Sequence, residues 1–407
     1  MSNRQINMLP RRAETIEVRQ TRPKLRLALV LALLVFGIGA ILLGLRNNIA
    51  ARPGWIEIMA NSAQNENCSA EFSFRYRLGK NSTAEYRAAV EVYTEASERA
   101  FQVFHPTRGF EGVGNLYSVN ASPNEPVRVE RELYEALELL DRRGERSMFL
   151  APVYTQLDAV FRSVSDDEAA SYDPALDGDA KEYAERFLVF ATDPESVRLE
   201  LLGNGMVCLH VSEDYLALAA EYGADCFVDL YWMRNAFAAD LIAGRLREAG
   251  LERGFLVSTD GFGVCLEQGS ENYALRVTEH RGGVQTAVEE LYYTGPLALV
   301  DLRGFPQSEG TEDYFFLYGD GTLRTPYLSA ADGAERLSLS ELYLCSRQSG
   351  CAELLLSGVP LFVADGFDRA AADALAEQGT AVLCFTDGEL YENAAAQELL
   401  TAQEPGK

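Results

Sequence analysis

Apolar and polar positions alternate over Ala70–Leu78, where Phe72, Phe74 and Tyr76 fall on one side, and that period of two predicts a strand. The period then lengthens to that of a helix over Thr83–Phe104, which opens at the cap signal Asn81-Ser82-Thr83 and stops before Pro106. Further helices are predicted over Arg131–Arg142, Val153–Phe161, Asp179–Phe187, Tyr215–Tyr222, Cys351–Ser357 and Asp368–Gln378. Strands are predicted over Val197–Leu202 and Met206–His210, which the turn Gly203-Asn204-Gly205 joins as a hairpin. More strands follow over Tyr273–Thr278, Leu297–Asp301, Asp313–Tyr318, Leu323–Leu328, Leu342–Cys345 and Ala381–Phe385. The acidic span Asp166–Asp179 reads as a surface loop. Strands and helices mix without a strict βαβ rhythm, which favours an α+β fold over a doubly wound sheet.

One stretch organises the middle of the chain. Asp229–Leu266 runs as a short apolar entry, an amphipathic helix with Ala236, Ala239, Leu241, Ile242 and Leu246 at helical spacing, and a strand Gly254–Ser258 that turns at Asp260-Gly261. The first N–H groups of a helix are unpaired, so its entry is a place to look for an anion site; a buried helix feeding a central strand is the alternative. The loop Gly109–Gly114 likewise reads either as a phosphate cradle or as ordinary turn chemistry.

The pattern breaks near the start. Leu27–Leu45 carries no charge and is long enough to cross a hydrocarbon core, and it is read as a transmembrane helix. Seven basic residues against two acidic ones precede it, a net of +5, which by the positive-inside rule places residues 1–26 in the cytoplasm. The division that follows is a basic tail 1–26, the membrane helix 27–45, a linker 46–69, an external domain 70–400 and a tail 401–407. With a whole-chain charge of −25, the rest of the protein carries −30, a balance that excludes nucleic acid as a partner. The hydrophobic content of 47% across 407 residues is ample for a core.

Candidate chemistry is sparse. The seven cysteines show no C-x-x-C spacing, so a zinc site is not expected; Cys345 and Cys351 are the pair close enough to suggest a bridged loop, and buried thiols are the alternative. His105, His210 and His280 are scattered, and no H-E-x-x-H, G-x-S-x-G or Walker loop occurs. Glu353 and Ser357 stand at i and i+4 on one helix face, and Pro360, lacking an N–H, leaves the carbonyl of Leu356 without its usual partner; this outlines a cation site, unless the helix simply ends there with Glu353 solvated.

The order of these elements resembles the ApbE family of FAD:protein FMN transferases over about Ala70–Leu400. Asn115–Asn120 is similar to the family's SELSxLN, and Pro126–Val153 to the segment ending in FDPT. Asp229–Asp240 stands where the family writes DLGGIAKGYAVD, and Leu256–Leu266 where it writes LVNLGGDIRAL. Glu353–Ser357 stands where it writes DALAT, and Cys384–Tyr391 resembles its closing hairpin. The resemblance implies an α+β fold related to the T-fold, with FAD and Mg²⁺ as cofactors and transfer of FMN to a Ser or Thr hydroxyl of a partner, here an external membrane flavoprotein. It implies Asn115, Asp229, Tyr231, Trp232, Arg234, Asn235, Ser258 and Gly261 as flavin contacts. For the metal it implies Glu353, Ser357 and the carbonyls of Leu356 and Arg234.

Departures from the pattern are equally plain. The paired glycines of DLGGIAKGYA are Tyr231 and Trp232, its Lys is Asn235 and its next Gly is Ala236. The family's H-I-I-D-P-x-T-G aligns with Pro326–Gly333, which carries Pro326 for the His and Ser329 for the Asp; the Asp of FDPT falls at Leu150. Two readings follow: a membrane-anchored flavin transferase with a reshaped site, or a non-catalytic protein that uses the same cleft to bind another ligand or a partner.

Overall fold

The computed structural model describes residues 52–61, 67–269, 271–281, 284–306, 314–386 and 388–402. The expected membrane helix Leu27–Leu45 lies outside these residues, and no described helix is long and apolar enough to cross a membrane. Pro53–Lys407 forms one compact unit.

Strand β1 (Gly54–Ile58) pairs antiparallel with β2 (Phe72–Leu78), where Phe72, Phe74, Tyr76 and Leu78 are buried on alternate positions as the period of two requires. Helix α1 (Ser82–Phe104) follows, then the short α2 (Leu116–Asn120), β3 (Pro126–Arg128), α3 (Arg131–Arg143) and α4 (Ala151–Phe161). Next come α5 (Asp166–Ala170), α6 (Gly178–Ala191), the hairpin β4 (Val197–Gly203) and β5 (Met206–Val211), and α7 (Glu213–Tyr222). A single 3₁₀ turn, Tyr231–Met233, leads into α8 (Arg234–Glu248), β6 (Gly254–Ser258) and β7 (Phe262–Cys265). The chain continues through β8 (Asn272–Arg281), β9 (Val284–Thr294), β10 (Leu297–Arg303), β11 (Phe316–Leu317), β12 (Leu323–Arg324) and β13 (Glu341–Ser346). It closes with α9 (Cys351–Phe362), α10 (Arg369–Ala376), β14 (Ala381–Thr386), β15 (Glu389–Glu392) and α11 (Ala394–Leu399).

Eight strands make one sheet in the order β1-β2-β6-β7-β10-β13-β14-β15, every neighbouring pair antiparallel. Helix α8 packs on β6 and β7, α9 on β10 and β13, and α1 against α8. The hairpin β8–β9 closes a second cluster in which Leu275, Val277 and Leu291 meet Cys265, Tyr343, Cys345 and Leu383. Burying these apolar faces is worth roughly 25 cal/mol per Å² and is the main force holding helices to sheet.

Several expectations are corrected. The loop expected over Asp166–Asp179 contains α5, because the Ser165 hydroxyl accepts the Glu168 N–H and three acidic residues in the first turn complement the helix dipole. The strand expected over Leu323–Leu328 is only Leu323–Arg324: Pro326 has no N–H to donate, and Thr325 is held by the Glu335 side chain at 2.8 Å instead. Of Asp313–Tyr318 only Phe316–Leu317 is strand, and Asp313 lies outside the described residues. Strand β9 gave no clean alternation because Gln285–Val288 are exposed on both faces. Helix α9 passes through Pro360 to Phe362, since Leu361 and Phe362 are buried. No Cys345–Cys351 bridge forms: all seven cysteines are buried free thiols, and Cys351 Sγ meets the Gly263 carbonyl at 3.3 Å.

Gly261 closes the β6–β7 turn at φ +105°, and a Cβ there would lie 2.2 Å from the Asp301 carbonyl oxygen. Gly261→Ala is therefore expected to destabilise the protein by about 2 kcal/mol or more, read as a lower urea midpoint.

Candidate functional site

A cavity of about 840 Å³ opens where the entry to α8 meets the β6–β7 turn, the end of β10 and the segment 314–327. Its residues come from distant parts of the chain, and hydrogen bonds hold them in register. Asp229 donates its N–H to the Met148 carbonyl at 2.9 Å, and its Oδ1 accepts the Tyr231 N–H at 2.9 Å. The carboxylate thus occupies the entry to the single 3₁₀ turn that leads into α8, while α8 itself begins at Arg234 without a side-chain cap.

Tyr231 stands at φ +43°, a left-handed conformation natural to glycine and strained for a ring-bearing residue. The sequence resemblance places a glycine of the family's motif at this position; the backbone has a shape that glycine takes, and the residue is Tyr. The Tyr231 ring stacks on Tyr154 at 4.6 Å and meets Tyr314 edge-on at 5.3 Å. Trp232 donates its indole N–H to the Tyr154 hydroxyl at 3.3 Å and lies edge-on to Tyr327 at 5.0 Å. Such aromatic pairs contribute about 0.5–1.5 kcal/mol beyond burial, which offsets the strain at Tyr231.

Beside the rings lies a polar knot. Arg234 Nη2 contacts both oxygens of Glu71, at 2.7 and 2.9 Å. Asn235 Nδ2 donates to Glu71 Oε2 at 2.8 Å and to Asp260 Oδ2 at 3.0 Å. Burial pushes both Asp229 and Asp260 up to about 6, the backbone N–H of Tyr231 opposing the rise at Asp229. Arg303 is 5% exposed, 3.5 Å from Asp301, which burial pushes up to about 7. His105 lines the cavity with a depressed pKa, from burial first and then from Arg234 and Arg108, so it is neutral at pH 7.

Five of the residues expected to contact a flavin line this cavity: Asp229, Tyr231, Trp232, Arg234 and Asn235. Three do not. Asn115 is a buried N-cap of α2 whose amide donates to the carbonyls of Gln102 and Arg108. Ser258 Oγ accepts the Phe262 N–H at 2.8 Å, and the Gly261 carbonyl accepts the Asp301 N–H at 2.9 Å. Of the expected metal donors only Arg234 borders the cavity. Glu353 pairs with Arg143 at 3.0 Å, Ser357 donates to the Glu353 carbonyl at 2.9 Å, and Leu356 is buried in α9. Among the described residues no group of three or more His, Cys, Asp or Glu stands ready to hold a metal.

Glu71, Asp158, Arg303, Tyr314 and Tyr327 line the cavity as well, and no local pattern marked them. Glu71 sits in a single 3₁₀ turn before β2, and Tyr314 and Tyr327 reach the site from more than eighty positions beyond Tyr231.

The raised carboxyls set a sign for the response to pH. An aspartate at about 6 when folded and about 3.9 when unfolded holds its proton more tightly in the native state, so its contribution improves as pH falls from 7.5 towards 5. The urea midpoint is expected to be higher at pH 5 than at pH 7.5. Asp229→Asn, which keeps an acceptor for the Tyr231 N–H, is expected to shrink that difference.

Neither a family model nor a curated protein sequence matches the chain. Solved structures do. The ApbE protein of Thermotoga maritima superposes with a TM-score of 0.58 at 14% identity, covering 87% of this chain and 100% of that one. The flavin transferase ApbE of Vibrio cholerae gives 0.54 at 12% identity, covering 86% and 100%. The flavinyl transferase ApbE of Pseudomonas stutzeri, in its apo form, gives 0.50 at 11%, covering 86% and 99%. The region that the sequence resemblance covers has the fold of these ApbE structures.

Proposed function

We propose that this protein is a membrane-anchored, external member of the ApbE fold that binds a ligand in its cleft without transferring FMN. One observation carries the reading: rings occupy the positions where the family's motif has paired glycines, and they are packed into the wall. Glycine there lets a ligand come against the backbone, whereas Tyr231 is stacked on Tyr154 and Trp232 is tied to its hydroxyl.

The cofactors that the fold family implies do not fit the residues present. Mg²⁺ takes a near-octahedral set of oxygens. Here the Glu353 carboxylate is ion-paired to Arg143 and the Ser357 hydroxyl is turned to its own helix, neither bordering the cavity. A diphosphate needs several unpaired donors, but Arg234 is already held through both oxygens of Glu71, which leaves Arg303 Nη1 and the Tyr231 hydroxyl as the buried side-chain donors of the lining without a partner among the described residues. No transfer step is derived through either group. Leu27–Leu45, flanked by basic residues, supplies the membrane anchor in this reading.

A second reading has one feature in its favour. Glu353 and Ser357 keep an acidic and a hydroxyl side chain at the spacing of the family's DALAT, as a transferase serving an external membrane flavoprotein would require.

One assay separates the two. The full chain in non-ionic detergent is incubated with FAD, Mg²⁺ and a flavoprotein that accepts FMN from an ApbE enzyme, and the acceptor is examined for covalent flavin fluorescence on a denaturing gel. No labelling is expected. Labelling that Glu353→Ala abolishes would establish the transferase instead.

A further inference from the structure

The ligand class follows from the charge and shape of the cleft, and this inference rests on the ligand-binding reading above. Three arginines line the cavity, and each already has a carboxylate: Arg162 with Asp158 at 3.0 Å, Arg234 with Glu71 at 2.7 Å, and Arg303 with Asp301 at 3.5 Å. Asp229 and Asp260 line the same cavity and form no ion pair among the described residues. The walls therefore carry surplus negative charge in a partly desolvated space. A pyrophosphate entering it would meet repulsion, whereas a cation would meet two carboxylates outside any ion pair, of which Asp260 also has an oxygen without a hydrogen-bond partner.

Unsatisfied buried atoms point the same way. In and directly behind the wall, three acceptor oxygens, Asn235 Oδ1, Asp260 Oδ1 and Asp301 Oδ1, lack a hydrogen-bond partner, against one donor nitrogen, Arg303 Nη1, and the Tyr231 hydroxyl, which can act either way. Asn235 is 2% exposed, and its Nδ2 faces two carboxylate oxygens, so the amide cannot be flipped and Oδ1 remains an acceptor. The lining also carries several aromatic rings, among them Tyr231, Trp232, Phe262, Phe305, Phe315 and Tyr327. Aromatic faces beside carboxylates bind ammonium groups through the ring quadrupole, and more strongly when desolvated. The volume of about 840 Å³ lies within the range of small-molecule sites.

We infer that the cleft takes a small organic ammonium ion with an aromatic or alkyl body, its charge set against Asp260 and its body against the rings. The cation offsets the charge of Asp260, whose Oδ1 has no hydrogen-bond partner, and Asn235, which Asp260 Oδ2 and Glu71 orient, accepts from the ligand's donor groups.

Benzyltrimethylammonium chloride is the probe for charge and rings, titrated calorimetrically into the full chain in non-ionic detergent, with FAD titrated in parallel. Saturable binding of the probe is expected at pH 8, weakened about tenfold or more by Asp260→Asn and again at pH 5, where Asp229 and Asp260 are protonated. FAD is expected neither to bind nor to displace the probe. Absence of probe binding, affinity indifferent to both Asp260→Asn and pH, or displacement by FAD at comparable concentration would overturn the inference. Should Asp260→Asn fail to fold, judged by near-ultraviolet circular dichroism, the pH profile of the unmodified protein decides. These failures are distinct from that of the broader reading, which falls only if FMN appears on an acceptor.

Discussion

The grip of the Glu71 carboxylate on Arg234 and Asn235 is the interaction on which this site depends. It joins the turn before β2 to the start of α8, and through Asn235 and Asp260 it reaches the β6–β7 turn. Three elements distant in sequence are fixed by one acceptor group. The charge-assisted geometry, with both oxygens engaged, is stronger than a neutral hydrogen bond, and it lies where partial burial limits screening. Without it Glu71, Asp229 and Asp260 would lose the cation and the amide that separate them at the entry to α8.

Around that knot the sheet supplies rigidity. Antiparallel pairing through β2, β6, β7 and β10 places the β6–β7 turn and the end of β10 at one edge of the cavity, and the close approach at Gly261 permits no side chain there. Helix α8 packs on β6 and β7 and against α1, and Ala236, Ala239, Ile242 and Leu246 along it are fully buried. That packing fixes the helix and positions its entry, and with it Asp229 to Asn235, beside the β6–β7 turn.

The backbone at Tyr231 has a shape suited to glycine and carries a ring. Such strain, of order 1–3 kcal/mol, survives only where surrounding contacts over-determine the conformation. Here the Asp229 cap and the rings of Tyr154 and Tyr314 do so. Architecture and ligand chemistry are thus separable in this fold: the helix entry is fixed by packing, and what it presents to the cleft depends on a few side chains.

Much of this was legible from local pattern. The alternation of Phe72, Phe74 and Tyr76, the helical spacing of Ala236, Ala239, Ile242 and Leu246, and the Asn81 start signal each specify an element through one periodicity or one turn. The α+β class and the aromatics at Tyr231 and Trp232 followed from the same reading. The sequence could not show that Glu71 would meet Arg234 across 163 positions, that Tyr314 and Tyr327 would close the cleft, or that Glu353 would turn to Arg143. Local spacing fixes which face of an element is apolar; which carboxylate finds which cation is settled only when the sheet brings distant segments within a few ångströms and burial makes an unpaired charge costly.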